Sequence, residues 1–334
     1  MAKKIFIGFV ALVLVAFVLL FQFGGRAAEE LTKKLLAEQT ALHGTLKAEQ
    51  IQANWSGDVI FKNVVWVGPD GKTIAEIPLA TVSVNLFDAL LKGGTGASVG
   101  DVVIDKPSFF VSYNKKDGLN IVNYINFQVE EEQKNNELLT VKKAASATQF
   151  RGLMEIKDAK VNLLLENKPL DFDKVQFQGN FKQYPKIKYG LRVKDGKSDI
   201  IADIQNDSGT TAVVAEVKKM PLQNILNVLP QAADVVITEG NLPDVKIRAD
   251  KADDKWTLNI DGTIDGLKGS LINYPVTKGS GKFSADTEAL KFAGLNLEVA
   301  GQTVVIDGNV YYAEKPEAKQ TYALTVNAPS FVIE

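Results

Sequence analysis

The chain opens with an uncharged, apolar run over residues 5–23, and most of the remaining sequence alternates apolar and polar residues. A helix needs about 20 residues, each rising ~1.5 Å, to cross the apolar core of a bilayer. Alternation with a period of two instead places successive side chains on opposite faces of a β-sheet. The pattern therefore predicts a transmembrane helix within residues 1–26, followed by a mainly β protein.

The residues around the apolar run predict its orientation. Lys3 and Lys4 precede it, whereas Arg26 and two glutamates come after it. Because positive residues stay cytoplasmic, we expect a single-pass anchor with the bulk of the chain outside the cytoplasm. A cleaved signal peptide is the main alternative, although its apolar core spans only about 7–15 residues and residues 24–28 match a cleavage site poorly. A buried N-terminal core helix is a further alternative.

After the anchor, residues 27–44 show leucines at helical spacing and predict a helical stalk. The period then changes to two. The first strands are expected to bury Val59 and Phe61, and then Val65 and Val67, before a turn rich in glycine. This alternation describes a sheet with one apolar face and one wet face.

Further along, strands are predicted at residues 99–105 and 108–113, on either side of Pro107. Proline cannot donate to a sheet ladder, so Pro107 marks an edge, a strand start or a bulge. One or two helical turns are predicted at residues 86–91, and a short proline-bounded helix at residues 221–230. Nearly all other segments have the pattern of strands, about 16 in number, more than a strongly twisted open sheet usually holds without curling or splitting.

Three segments carry a resemblance to a known family. They read IPLATVSVNLFDALLKG over residues 77–93, VGDVVIDKP over residues 99–107 and DGLN over residues 117–120. They form, in order, a strand ending in a short leucine-rich helix, a strand leading to proline, and a turn ending in Gly-x-Asn. With the N-terminal anchor, they make residues 1–125 resemble the AsmA-like family, which includes TamB.

The resemblance implies a fold, a location and a role. It implies an inner-membrane anchor, a periplasmic bulk, and a long curled antiparallel-rich sheet, an elongated β-taco whose apolar groove shelters phospholipid acyl chains. Its role would be phospholipid transport or outer-membrane biogenesis. Two alternatives stay open: a β-sandwich or barrel with a dry core, and an assembly scaffold that pairs an edge strand with an outer-membrane assembly partner.

The expected domain order rests on these patterns. An AsmA-like β section covers residues 45–125, and a repetitive β-groove section covers residues 151–334. Between them, residues 126–150 lose the alternation and become charged, which predicts a helical or loop insertion. The final apolar residues Phe331, Val332 and Ile333 predict a strand edge that an outer-membrane assembly protein or a second subunit would complete.

The groove is predicted to be lined by apolar residues at alternating strand positions. They are Val82, Val84, Leu86, Val161, Leu163, Leu165, Val175, Phe177, Val213, Val217, Val245, Ile247, Trp256, Leu258, Ile260, Phe283, Leu295, Leu297, Val304, Ile306, Tyr322 and Leu324.

Composition narrows the chemistry. The formal net charge of −2 argues against nucleic acid as a partner, because neutralising phosphates takes a basic surface. The absence of cysteine excludes thiol catalysis and thiolate metal sites. The single histidine, His43, is expected near the C-terminus of the stalk helix, where its charge is favourable. We therefore expect neither catalytic nor metal-binding residues, no cofactor, and a function other than an enzyme.

Overall fold

The computed structural model describes residues 42–54, 57–84, 99–114, 117–124, 152–165, 167–183, 185–194, 196–207, 210–222, 235–252, 255–271, 273–312 and 321–328. The predicted anchor, nearly all of the stalk, the charged insertion, the two short helices beyond residues 84 and 222, and the terminal edge lie outside these residues. Within the described ranges, no helix has the length and apolar run that a membrane crossing needs.

The described chain is mainly β-strand, as predicted, and it divides into two compact units, Met1–Tyr189 and Gly190–Glu334. We call them unit 1 and unit 2. In unit 1, antiparallel pairing joins β1 to β2, β2 to β3 and β7 to β8, whereas β4 and β5 run parallel to β7. The elements are β1 (Thr45–Ala53), β2 (Asp58–Val67), β3 (Thr73–Val84), β4 (Val99–Asp105), β5 (Ser108–Asn114), β6 (Gly118–Leu119), helix α1 (Asn120–Asn123), β7 (Leu153–Leu165) and β8 (Lys168–Asn180).

Strands β4 and β5 act as one long strand with a break at Lys106 and Pro107. Both pair with β3 in one antiparallel register and with β7 in one parallel register. The N–H of Lys106 donates to the carbonyl oxygen of Lys157 at 2.8 Å. The N–H of Lys160 donates to the carbonyl oxygen of Pro107, also at 2.8 Å. Pro107 therefore lies inside the sheet, directly before the start of β5, and it is buried.

A line of backbone irregularities crosses unit 1 from β2 to β8. Asn63, Lys106, Asp158 and Lys174 all have positive φ, between 49° and 53°. The strand register places Lys106 opposite Asp158, and Pro78 takes the equivalent position on β3. We call this line the crease, because it interrupts the regular extended backbone of neighbouring strands at the same level.

The crease shifts which residues point inward. In β2, Phe61 and Val64 are both buried although they are three residues apart, with Asn63 between them. Val65 and Val67, which alternation alone placed inward, are only partly buried. The prediction for this half of β2 is wrong by one residue, because the positive φ at Asn63 adds a residue to the period.

The Gly-x-Asn turn has a clear structural role in unit 1. Gly118 takes a φ of +73°, which suits glycine, and it closes the β5–β6 hairpin. The Oδ1 atom of Asn120 accepts hydrogen bonds from the N–H of Ile121 at 2.8 Å and from the N–H of Ser112 at 2.9 Å. The asparagine thus ties α1 to strand β5.

Unit 2 is built from antiparallel pairs that follow the chain order. Strand β9 begins in unit 1, and its residues 190–194 belong to unit 2. Strands β12 and β13 form one long strand, broken at Pro243 and Asp244, because both keep a single register against β11 and nearly a single one against β14. The strands are β9 (Ile187–Lys194), β10 (Asp199–Asp207), β11 (Thr210–Pro221), β12 (Val235–Leu242), β13 (Val245–Ala252), β14 (Lys255–Leu271), β15 (Tyr274–Ala285), β16 (Ala289–Val299), β17 (Gln302–Tyr311) and β18 (Thr321–Asn327).

Candidate functional site

An uncharged row of residues crosses eight strands of unit 2. Each member lies directly opposite the next in the antiparallel register, and paired residues share a face of the sheet. We call it the central row. It consists of Ile200, Val217, Val245, Gly262, Phe283, Phe292, Gly308 and Leu324.

A second uncharged row lies beside the central row, two residues along every strand. Its members are Ala202, Ala215, Ile247, Ile260, Ala285, Leu290, Val310 and Tyr322. Beyond the other side of the central row, the core of unit 2 continues through Ile264, Leu267, Val276, Leu295, Leu297, Val299, Val304 and Ile306. These three groups together form the apolar face of unit 2.

Glycines in the apolar face make room for large neighbouring side chains. A Cβ atom added to Gly262 would lie 2.5 Å from the Phe283 ring, and one added to Gly279 would lie 2.7 Å from Leu297. The Phe283 ring therefore covers the backbone of Gly262 and lies close to the sheet. Large side chains that lie over glycine keep the apolar layer thin while still covering the peptide groups beneath it.

The centre of the apolar face is only partly covered. Val217, Val245 and Leu297 are buried, but Phe283 and Phe292, in the middle of the central row, remain partly exposed. A closed sandwich core, in which two sheets interdigitate, buries the residues at its centre. The face can thus offer hydrocarbon contact but no charge, nucleophile or general acid.

The opposite face of unit 2 is polar. Along β11 and along each strand from β13 to β18, one residue lies between the central row and the second row, and its side chain belongs to this opposite face. These residues are Glu216, Lys246, Asp261, Ser284, Lys291, Asn309 and Ala323. Neighbouring charges pair on this face, with Arg248 3.0 Å from Asp250 and Lys218 3.7 Å from Glu216. Among the described residues, no three histidine, aspartate or glutamate side chains are placed to share a metal ion.

The register brings together all the groove candidates predicted in unit 2. They share the apolar face, and Trp256 extends it at one end, opposite Lys251. Those residues are Val213, Val217, Val245, Ile247, Trp256, Leu258, Ile260, Phe283, Leu295, Leu297, Val304, Ile306, Tyr322 and Leu324.

The candidates predicted in unit 1 have a different setting. Val82 is 0 % exposed and belongs to the core of unit 1, and Val175 is also buried. Phe177 is partly buried and stacks on Tyr189 with ring centroids 5.9 Å apart. The β7 residues Val161, Leu163 and Leu165 are partly buried. Val84 ends strand β3, whereas Leu86, Phe331, Val332 and Ile333 lie outside the described residues.

His43 lies just before β1, with an exposed side chain. Its N–H donates to the carbonyl oxygen of Tyr124 at 2.6 Å, and its own carbonyl oxygen accepts from Trp66 Nε1 at 3.2 Å. These bonds use only its backbone and hold the start of β1 against α1. The helix whose C-terminus His43 was predicted to occupy lies outside the described residues.

The predicted set omitted residues that complete the face. Gly262 and Gly308 were omitted because a search for apolar alternation passes over glycine, and Phe292 lies next to a bulge at Gly294, where φ is +66°. A signal was present in the sequence, since glycine at an inward position beside a strand with phenylalanine indicates an aromatic ring lying over it.

Comparison with known proteins adds no assignment. No protein-family model matches the chain, and no curated protein matches it. The fold and the site therefore define only a mainly β protein whose second unit carries an extended, uncharged face.

Proposed function

We propose that the apolar face of unit 2 shields the acyl chains of phospholipids, in an inner-membrane-anchored periplasmic protein of the AsmA and TamB type. On this proposal the sheet curls so that the face lines a groove, and the protein serves phospholipid transport or outer-membrane biogenesis. The observation that carries the proposal is the central row, which crosses eight strands without a charged residue.

The dimensions of the row support an acyl-chain ligand. Eight strands enclose seven spacings of ~4.8 Å, so the row is roughly 34 Å long. Half of the apolar core of a bilayer is only about 15 Å thick, so one acyl chain fits along the row. Each CH₂ group removed from water contributes about 0.8 kcal/mol, whereas a single charge in the row would cost several times that amount.

The partial exposure of Phe283 and Phe292 supports an open face over a closed core. A ligand that lies against these rings would remove apolar surface from water that the fold leaves accessible. Transfer along such a face breaks no covalent bond, and the polar groups of the lipid would remain in solvent at the strand ends.

Site-specific photo-crosslinking tests the proposal in the full chain. The photoreactive residue p-benzoylphenylalanine replaces Leu258, on the apolar face, or its neighbour Asn259, on the polar face. After irradiation in cells, mass spectrometry of the purified protein should find phospholipid adducts with the probe at Leu258 and none with the probe at Asn259. Equal labelling at both positions, or no lipid adduct at Leu258 in a folded protein, would contradict the proposal.

A second candidate function rests on strand β18. All seven residues of Thr321–Asn327 are exposed and none is charged, whereas natural edge strands usually carry charge or proline. Such a strand suits an assembly scaffold that pairs with a strand of an outer-membrane assembly partner. Crosslinks from Thr325 to such a partner, without lipid adducts at Leu258, would favour the scaffold over lipid shielding.

A further inference from the structure

Four exposed aromatic side chains gather at one end of the unit 2 sheet. They lie where β14, β16 and β18 begin and β15 and β17 end. Trp256 is 49 % exposed, Tyr311 39 %, Tyr312 43 % and Tyr322 58 %. We call these four residues the aromatic end. From β14 to β18 it spans four strand spacings, or roughly 19 Å.

The backbone holds the aromatic end in place. The N–H of Tyr312 donates to the carbonyl oxygen of Glu288 at 2.9 Å, which ties it to the β15–β16 turn. The carboxylate of Asp286 accepts from the N–H groups of Glu288 and Ala289 at 2.8 and 2.9 Å, and from Lys291 Nζ at 2.8 Å. Tyr312 is thus held beside a closed, hydrogen-bonded turn, whereas Trp256, Tyr311 and Tyr322 are held by the strands to which they belong.

The other end of the same sheet lacks this concentration. There, within the described part of unit 2, Tyr274 is the exposed aromatic residue, at 43 %, beside the aliphatic Val236. Tryptophan and tyrosine combine an apolar ring with a polar tip, and they collect at the interface between lipid and water. The two ends of the sheet therefore differ in the environment that they suit.

The charges near the aromatic end balance one another. Among its described residues, Lys251, Lys255 and Lys291 are matched by Asp250, Asp286 and Glu288. A surface that binds anionic lipid by charge needs an excess of lysine and arginine, which is absent from this set. The balance favours a zwitterionic phospholipid surface, where aromatic rings rather than charge supply the contact.

We propose that the aromatic end docks on a zwitterionic phospholipid membrane surface, with Trp256, Tyr311, Tyr312 and Tyr322 at the level of the head groups and ester linkages. Trp256 and Tyr322 also lie on the apolar face, at its end, but the inference rests on the position and exposure of the four aromatic side chains and does not depend on acyl-chain binding along the rows. It gives one end of the unit 2 sheet a membrane-facing role.

Single-cysteine labelling tests the proposal, because the chain contains no cysteine. Tyr312→Cys carries a bimane fluorophore at the aromatic end, and Tyr274→Cys, a residue of equal exposure, is the matched control. The full chain is reconstituted in phosphatidylcholine vesicles that contain lipid with a nitroxide on its head group. We expect quenching at position 312 to exceed quenching at position 274 by about threefold or more, as an interfacial position requires.

A second measurement removes the aromatic rings without touching the label. In the Tyr312→Cys background, Trp256→Ser and Tyr322→Ser should abolish the excess quenching while leaving the circular dichroism of the sheet unchanged. Equal quenching at the two label positions would overturn the proposal, as would excess quenching that appears only with phosphatidylglycerol vesicles. Excess quenching at position 312 without lipid adducts at Leu258 would support this inference and contradict the lipid-shielding function.

Discussion

The two units share the alternating apolar and polar pattern, but they differ in how completely their central apolar residues are buried. In unit 1 the inward residues near the start of β2 are sealed from water, with Val59 at 0 % and Phe61 at 2 % exposure. In unit 2 the equivalent central residues, Phe283 and Phe292, stay partly exposed. Alternation therefore specifies that a sheet has an apolar face but does not specify whether that face is closed.

The two units also differ in which residues have positive φ and in where those residues lie along the strands. In unit 1, the positive-φ residues Asn63, Lys106, Asp158 and Lys174 align in one crease, and none of these residues is glycine. In unit 2, positive φ falls largely on glycines, which are staggered along the strands. Unit 1 therefore interrupts the alternation at one level of several strands, whereas unit 2 places most of its positive-φ residues at glycines, which adopt that conformation freely.

The largest expected effect comes from removing one phenylalanine in each unit. Phe61→Ala should lower the free energy of unfolding by about 3–5 kcal/mol, because it opens a cavity in a closed core. Phe283→Ala should cost about half as much, because the ring is partly exposed before the substitution. Denaturant unfolding of the two variants measures the difference, and equal losses would show that the apolar face of unit 2 is closed like the core of unit 1.

A smaller effect is expected at the crease. Asn63 has a φ of +50°, and its side-chain amide donates to Glu49. Asn63→Ala should destabilise unit 1 by about 1 kcal/mol, since alanine is strained in this conformation and the hydrogen bond is lost. Asn63→Gly should recover much of that loss, because glycine adopts positive φ freely. If alanine and glycine are equally destabilising in thermal unfolding, backbone conformation does not set the crease.

The smallest effect concerns two aspartates in turns, one in each unit. Lys291 and two backbone N–H groups lower the pKa of Asp286 to about 2, from an ordinary value of 3.8. In unit 1, the backbone N–H of Lys72 and the hydroxyl of Tyr124 lower the pKa of Asp70. Because both pKa values are depressed on folding, both groups stabilise the fold above pH ~4 and lose that contribution as the pH falls.

An NMR titration of the two carboxyl groups measures both pKa values. Asp286 should stay ionised to about pH 2, and Asp286→Asn should remove the acid-dependent change in the β15–β16 turn. Protonation of Asp286 near its ordinary value of 3.8 would contradict the turn geometry. The effect on overall stability should be small, since both groups are at the surface and solvent screens their interactions.

Much of unit 1 could be predicted from local sequence. The strands predicted at residues 99–105 and 108–113 match β4 and β5 to within a residue, because Pro107 and the turn after Asn114 mark their boundaries in the sequence. The inward positions after Asn63 could not be predicted by alternation, since the positive φ of Asn63 interrupts the two-residue period at a level that positive-φ residues on other strands share. The continuity of β4 with β5 likewise depends on their shared partners, β3 and β7.

In the candidate site too, some features could be predicted from local sequence and others could not. Alternation identified Val217, Ile260 and Leu297 as inward residues, because side-chain direction along a strand is a local property. It did not reveal that a central row joins them across strands, nor that Phe283 lies over Gly262. Those features depend on register, which is decided by pairing between segments far apart in the chain.

By itself, the sequence determined that this protein is mainly β, that its strands carry one apolar face, and that cysteine chemistry is absent. Only the tertiary structure decided that Val59 and Phe61 of unit 1 lie in a buried core, that Phe283 and Phe292 of unit 2 stay partly exposed, and that four aromatic residues share one end of a sheet. The physical reason is that alternation is set within a strand, whereas burial and proximity are set by register and bulges across strands.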